Sequence, residues 1–282
     1  MLAIIGGTGF YALEGLTVQE EKTVETPFGL PSAKIVLAHD GQQTIAFLSR
    51  HGQGHAYLPH EINYRANIYA LKLLGVKRIL SFSAVGSLQQ ALAPGQFVLS
   101  TQYLDLIRGP RVKTFFGEGV VAHVSTAQPV CPQLAATVGE VAASLGMPLH
   151  VDKTYACVDG PRLGTQAESR LMADVYGADV VGMTHVPEVF LAREAQMTYC
   201  SVGIVTDYDS WQLDPSLHVQ ATEIFALYQD SLSKAKTLLQ AFLQQPLPPQ
   251  DEAYRQALKL GLLTPLETLS VEKRAMVEVL LA

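Results

Sequence analysis

The segment Val181–Trp211 constrains the fold more tightly than any other part of the chain. Its apolar run Cys200–Val205 has the length and β-branched content of a buried strand. The run stops at Thr206-Asp207-Tyr208-Asp209, which sets two carboxylates one residue apart. In α/β sheets ligands gather at the carboxyl ends of strands. A carboxylate placed there is costly unless it has a partner or holds a proton. The segment therefore predicts an α/β sheet with a proton-handling site at one strand end.

Upstream, Leu2–Ile5 reads as a short buried strand, and Ala33–Ala38 and Thr44–Leu48 as a pair of strands. Glu61–Leu74 has helical spacing and meets a stop at Gly75. Arg78–Phe82 predicts a strand leading into Ser83-Ala84 at its end. Gln133–Leu145 predicts a helix, His150–Val158 a strand, Ala167–Tyr176 a helix and Asp179–Gly182 a strand. Pro187–Ala195 predicts a helix with proline in its first turn. This alternation argues for a mixed or mostly parallel sheet covered on both faces by helices, and the length allows one large α/β domain or two small ones. Val219–Phe242 is a long helical pattern, and Gln245–Gln250 a proline-rich linker. Asp251–Leu260 and Leu266–Leu281 then predict two helices, a C-terminal extension over residues 246–282.

Hydrophobic residues make up 48% of the 282, enough for a sizeable core. The formal charge of −6 and the lack of a basic stripe argue against nucleic acid as a partner. No run approaches the ~18 apolar residues of a membrane helix, and the N-terminus lacks the pattern of a signal peptide. Cys131, Cys157 and Cys200 show neither disulfide nor zinc spacing. Reduced thiols and a cytoplasmic location are expected, with no metal and no cofactor.

Gly7-Thr8-Gly9-Phe10-Tyr11-Ala12 formally matches a dinucleotide fingerprint. No acidic residue closes a second strand at the required distance, and Gly15 disfavours the helix that should follow. An anion-binding turn, with backbone N–H groups and the Thr8 hydroxyl as donors, fits better. Arg50-His51-Gly52 follows a strand, where a guanidinium fork suits phosphate and His51 can add a donor from either ring nitrogen. Glu188, in the first turn of its helix, is expected only to favour the helix N-terminus. Asp207, desolvated and next to Asp209, is expected to hold its proton to unusually high pH.

Taken in order, Ile4–Gly9, Ser49–Gly52, Pro59–Gly75 with Asn63–Asn67, Ser83–Ser87, Gly160–Arg162 with Ala167–Ser169, and Val181–Trp211 resemble the trimeric purine nucleoside phosphorylase family. The resemblance is to its methylthioadenosine phosphorylase branch and spans roughly residues 1–245; nothing after Gln245 takes part in it. It implies the nucleoside phosphorylase fold, a single α/β domain over residues 1–245 with a central mixed sheet flanked by helices, and a homotrimer. It implies a phosphate site of Thr8, Arg50, His51, Ser83, Ala84 and Thr184. Met183 would hold the ribose, with His55 nearby. The helix beginning near His218, with Ala221 and Ile224, would floor an apolar 5′ pocket. Asp207 would act at purine N7 and N6 with Asp209 beside it. Relatives acting on 6-oxopurines typically carry asparagine where this chain has Asp207, so a 6-aminopurine is implied.

Three positions depart from the pattern. Leu163 stands where the branch often has an aromatic packed on the base, and Gly164 where a hydroxyl residue is expected, with Thr165 as a substitute one residue away. His185 replaces a small residue next to the phosphate threonine. The expectation is reversible phosphorolysis of 5′-methylthioadenosine, with inorganic phosphate as co-substrate. A phosphorylase with broader or 6-oxopurine preference, a nicotinamide-dependent oxidoreductase and a non-catalytic nucleoside-binding protein are the alternatives.

Overall fold

The computed structural model describes residues 1–6, 15–212 and 221–282, with the backbone alone described at 221–226 and 228–230. Nine strands form one mixed sheet in the order β2-β3-β4-β1-β5-β8-β7-β6-β9. They are β1 Leu2–Gly6, β2 Thr17–Lys22, β3 Ile35–His39, β4 Thr44–Ser49, β5 Arg78–Ser87, β6 Phe97–Asp105, β7 Leu149–Cys157, β8 Val180–Gly182 and β9 Thr198–Tyr208. A further pairing of β5 with β9 closes the second half into a barrel. The mixed sheet flanked by helices matches the sequence expectation; the closure does not follow from periodicity, because it depends on which strands meet.

β5 belongs to both halves, and this creates the site. Its pairing with β1 runs from Arg78 to Ser81. Its pairing with β8 begins only at Gly86. Between them, over residues 82–85, that edge of β5 crosses a gap where β1 has left and β8 has not yet joined. Such a switch in strand neighbours is where α/β sheets open a ligand crevice. β4 runs parallel to β1 and ends level with it, at Gly6↔Ser49. β8 runs antiparallel to β5, so its exit at Gly182 also points to the gap.

The helices follow local signals. Helix α1 covers Tyr64–Leu73, three residues inside the expected start, because Asn63 caps it by accepting from Ala66 N. It stops at Gly75, whose φ of +80° suits glycine. Helix α2 is Pro132–Ser144, and α3, Gln166–Arg170, runs on into a π turn at Leu171–Val175. Helix α4, His185–Glu194, becomes regular only at Pro187, since Val186 is extended (φ −106°, ψ 126°) as residues before proline tend to be. Helix α5 is Ala221–Leu243.

Two strands lie outside the sequence expectations. β2 is exposed along nearly its whole length, so there was no burial pattern to read. β6 is irregular, with register shifts against β7 at Val98/Ser100 and Ser100/Gln102 that break the alternation. The extension also differs. Asp251–Leu260 is two short helices, α6 Glu252–Arg255 and α7 Ala257–Gly261, and only Val271–Leu281 of the last segment is α-helix, α8, started by the Ser270 cap. Tyr254, Leu258, Met276, Val277 and Leu280 of this tail belong to the main hydrophobic core.

Candidate active site

The Arg50 side of the gap is built on a buried ion pair. β4 delivers Arg50 beside Gly6, whose carbonyl accepts from Arg50 N at 3.1 Å. The Arg50 Nε donates to Glu188 Oε2 (2.6 Å) and Nη2 to Glu188 Oε1 (2.8 Å) and Ser81 Oγ (2.5 Å). Nη1 donates to Phe82 O (3.0 Å). Glu188 Oε1 also accepts from the hydroxyls of Ser81 and Tyr199, both at 2.8 Å. Four of the five guanidinium N–H groups are thus engaged within the protein. This differs from the phosphate fork expected of Arg50: the fork is filled by Glu188, which local sequence explains only as a helix-terminus acid. Burial works against both charges, but each partner outweighs it, holding Arg50 above and Glu188 below its ordinary range. A buried pair of this kind fixes geometry more than it adds stability.

His51 Nδ1 lies 2.9 Å from Tyr57 O. A carbonyl only accepts, so the proton sits on Nδ1. Burial lowers the ring's pKa to about 4, so His51 is neutral near pH 7 and its Nε2 is an acceptor. The expected second donor is therefore absent. The ring stacks on His55, centroids 4.1 Å apart. That brings two predicted site residues together.

Ser83 and Ala84 lie inside β5 rather than at its end, in the gap itself. The strand continues because β8 and β9 both pair with it up to Ser87. Thr184, 5% exposed, is the residue before α4 and makes no side-chain cap bond, which leaves its hydroxyl at a helix N-terminus where anions are favoured. Met183 is held from two sides. Its carbonyl accepts from Arg111 Nη1 at 2.8 Å. Its thioether packs on Gly160, where any Cβ would collide with Sδ and where φ is +66°. Arg111 also donates to Val186 O (2.8 Å) and Asp159 O (3.1 Å), bracketing the bend that carries Met183 and Thr184. Neither Arg111 nor Gly160 has a local sequence signal for this.

The carboxylate side of the gap lies at the end of β9. The register against β5 runs Val85↔Val205, then Gly86↔Asp207, so Thr206 is an extra residue. Such a bulge re-aims the side chain that follows it, and β9 carries Asp207 within the strand rather than after it. Thr206 Oγ1 donates to Asp207 Oδ1 at 2.7 Å. Gly86 leaves room for both carboxylates: a Cβ there would stand 3.3 Å from Asp207 Oδ2 and 3.4 Å from Asp209 Cβ. Desolvation, with Asp209 adding to it, raises the Asp207 pKa to about 6. Burial raises Asp209 too, opposed by the short hydrogen bond it accepts from Ser169 Oγ.

That bond revises an expectation. Thr165 does not supply the hydroxyl missing at Gly164, because it caps α3 in a reciprocal pair with Glu168. The hydroxyl bonded to Asp209 is that of Ser169, and a Cβ at Gly164 would lie 3.6 Å from Asp209 Oδ2. Leu163 is 48% exposed. Thr8 falls outside the described residues, as do the side chains of Ala221 and Ile224. Among the described residues, no group of His, Cys, Asp and Glu is gathered as a metal ion would need, and no helix is long and apolar enough to cross a membrane.

A sheet opened between β1 and β8, a buried Arg50–Glu188 pair and the Thr184 hydroxyl on one side of the opening, and a buried carboxylate pair on the other define a class. The sequence profile of the Phosphorylase superfamily matches residues 1–245, and the chain belongs to that superfamily. Within it, the chain is 46% identical over 254 residues to the S-methyl-5′-thioadenosine phosphorylase of Hyperthermus butylicus, covering 90% of this chain and 91% of that one. It is similar, at 40% identity and a TM-score of 0.91, to the crystal structure of a methylthioadenosine phosphorylase sourced from an antarctic soil metagenomic library. That likeness covers 100% of this chain and 98% of the other, so it includes the tail. A mutant adenosine/methylthioadenosine phosphorylase of Schistosoma mansoni, solved in complex with methylthioadenosine, matches at a TM-score of 0.85 and 33% identity, over 93% of this chain and 98% of that one.

Proposed function

We propose that the protein catalyses reversible phosphorolysis of 5′-methylthioadenosine to adenine and 5-methylthioribose 1-phosphate. The observation that carries this reading is Asp207: buried beside Asp209, with a pKa raised to about 6, it accepts from an exocyclic amine as carboxylate and donates to N7 as acid. Phosphate lies in the gap between β1 and β8, against Ser83, Ala84 and Thr184; Thr8 is assigned to the same pocket by the family resemblance alone. Arg50 acts from behind, its charge shared with Glu188 and its fork holding Ser81 and the Phe82 carbonyl in place. Met183 meets the ribose and His55 closes the His51 side; the helix carrying Ala221 and Ile224 is assigned to the 5′ pocket by the family resemblance alone.

In the reaction the glycosidic C1′–N9 bond loosens and a phosphate oxygen attacks C1′ as the sugar gains positive charge. Asp207 stabilises the leaving purine by a hydrogen bond or proton at N7. The remaining groups contribute position and electrostatics. No cofactor or metal enters the reading; phosphate is the co-substrate. A cytoplasmic homotrimer is part of the same proposal.

The test is incubation of the purified protein with 5′-methylthioadenosine, with and without phosphate, followed by chromatography. Adenine release that requires phosphate is expected. Release without phosphate would make the protein a hydrolase. Binding without turnover would leave a nucleoside-binding protein. Preference for inosine or methylthioinosine would move the reading to a 6-oxopurine phosphorylase, with exposed Leu163 as the first residue to examine.

A further inference from the structure

Residue 185 is the one departure that sits among the phosphate residues, and it has a definite partner there. His185 is wholly buried at the start of α4, one residue after Thr184. Its ring stacks on Tyr155 (centroids 4.5 Å apart, 23°) and meets Tyr103 and Tyr199 edge-on at 6.1 and 6.4 Å. Nε2 lies 2.8 Å from Ser83 Oγ. Nδ1 is buried with no hydrogen-bond partner among the described residues. Burial, reinforced by Arg50 nearby, lowers the ring's pKa to about 3, so it is neutral and carries a single N–H.

Two tautomers are available, and they do opposite things to Ser83. With the proton on Nδ1, a buried N–H is left unpaired among aromatic rings, which is the rarer kind of unsatisfied group. Ser83 must then donate to Nε2, and its oxygen turns only lone pairs toward the gap. With the proton on Nε2, the ring donates to Ser83 Oγ and leaves only a lone pair unpaired at Nδ1. The Ser83 hydroxyl hydrogen is then free to point into the gap, since Oγ has accepted from behind. An anion in the gap favours the second arrangement, because it needs donors and repels lone pairs.

We propose that His185, as the Nε2–H tautomer, is a positioning residue that fixes the Ser83 hydroxyl as a donor to phosphate. The proposal rests on the phosphorylase reading above. His185 does not touch the substrate; it sets the direction of the one hydroxyl in mid-β5 that does. The surrounding tyrosines hold the ring and exclude water that would otherwise serve either nitrogen.

The experiment joins a spectroscopic signature to a kinetic split. In the full-length wild type, 15N shifts of the His185 ring in the presence of inorganic phosphate should show Nε2 protonated and Nδ1 not. His185→Phe keeps the stacked ring but removes the donor, and should raise KM for phosphate about tenfold while KM for the nucleoside changes less than about twofold. His185→Gln, whose amide nitrogen reaches the Nε2 position, should recover most of the loss. In Ser83→Ala, adding His185→Phe should raise KM for phosphate by less than a further twofold or so, since the hydroxyl it acts through is gone. An Nδ1–H tautomer, an unchanged KM for phosphate in a folded His185→Phe, or fully additive effects with Ser83→Ala would each overturn the proposal. Wild-type release of adenine without phosphate would instead overturn the phosphorylase reading, so the two failures are distinguishable.

Discussion

At the scale of single residues, the site depends on which state each ionisable group is driven into. Asp207 has a pKa raised to about 6 by burial. Its acid form is therefore full below that value and lost as the pH rises through it. If the acid donates to N7, kcat/KM for 5′-methylthioadenosine should fall above about pH 6, and Asp207→Asn should remove that limb. The same variant should lower turnover of the 6-amino substrate by one to two orders of magnitude and shift relative preference toward 6-oxopurines. An unchanged pH profile and preference in Asp207→Asn would exclude this role. Arg50 shows the opposite case: a residue type well suited to phosphate whose fork is already filled. Its residue type was legible in the sequence, but Glu188, its partner, lies 138 residues away and had an adequate local explanation as a helix-terminus acid.

At the scale of elements, α4 does more than cover the sheet. Its first turns carry Thr184, His185 and Glu188 toward the gap, and its last turn ends in Glu194. Glu194 accepts from Thr114 Oγ1 (2.7 Å) and Phe115 N (2.8 Å), anchoring the segment that also bears Arg111. Burial raises the Glu194 pKa to about 7, against those two bonds. Because the folded value lies above the unfolded one, its contribution to stability is full below about pH 4.5 and is lost as the pH rises through 7. The shift corresponds to roughly 3 kcal/mol in all. Glu194→Gln cannot ionise. Relative to wild type it should gain stability between pH 5 and pH 8, read as a narrowing or reversal of the Tm difference; parallel Tm–pH curves would refute the assignment. Elements with ordinary signals, such as α1 between Asn63 and Gly75, were readable in advance. β2 and β6 were not, because one is exposed along nearly its whole length and the other is broken in register.

At the scale of the whole molecule, the tail after the proline-rich segment is part of the core. Tyr254 is 2% exposed, donates to Gln128 O (3.0 Å) and Val130 O (2.6 Å), and carries Arg193 over its ring at 3.9 Å. Arg78 donates twice to Pro248 O, and Gln196 Nε2 to Leu281 O. These bonds tie the tail to the start of β5 and to the turn between α4 and β9. Tyr254→Phe strands the buried Val130 carbonyl and should cost about 1–3 kcal/mol, measured by denaturant unfolding, with little change in KM for either substrate. A variant as stable as wild type would mean that the tail is a loose addition.

What the sequence determined by itself is the local part: a buried strand running into Asp207, helices with caps and stops, a core large enough for an α/β domain, and residue types suited to binding an anion and holding a proton. These follow from propensity and periodicity, which act over a few residues. Only the tertiary structure decided the rest. It set where β5 changes neighbours, that Thr206 bulges to aim Asp207, and that Ser169 rather than Thr165 reaches Asp209. It also set that Glu188 takes the Arg50 fork, and that His185 stands behind Ser83. Each is a pairing between groups far apart in the chain, settled when buried polar atoms must find partners inside a close-packed interior, and no local pattern encodes which partner that is.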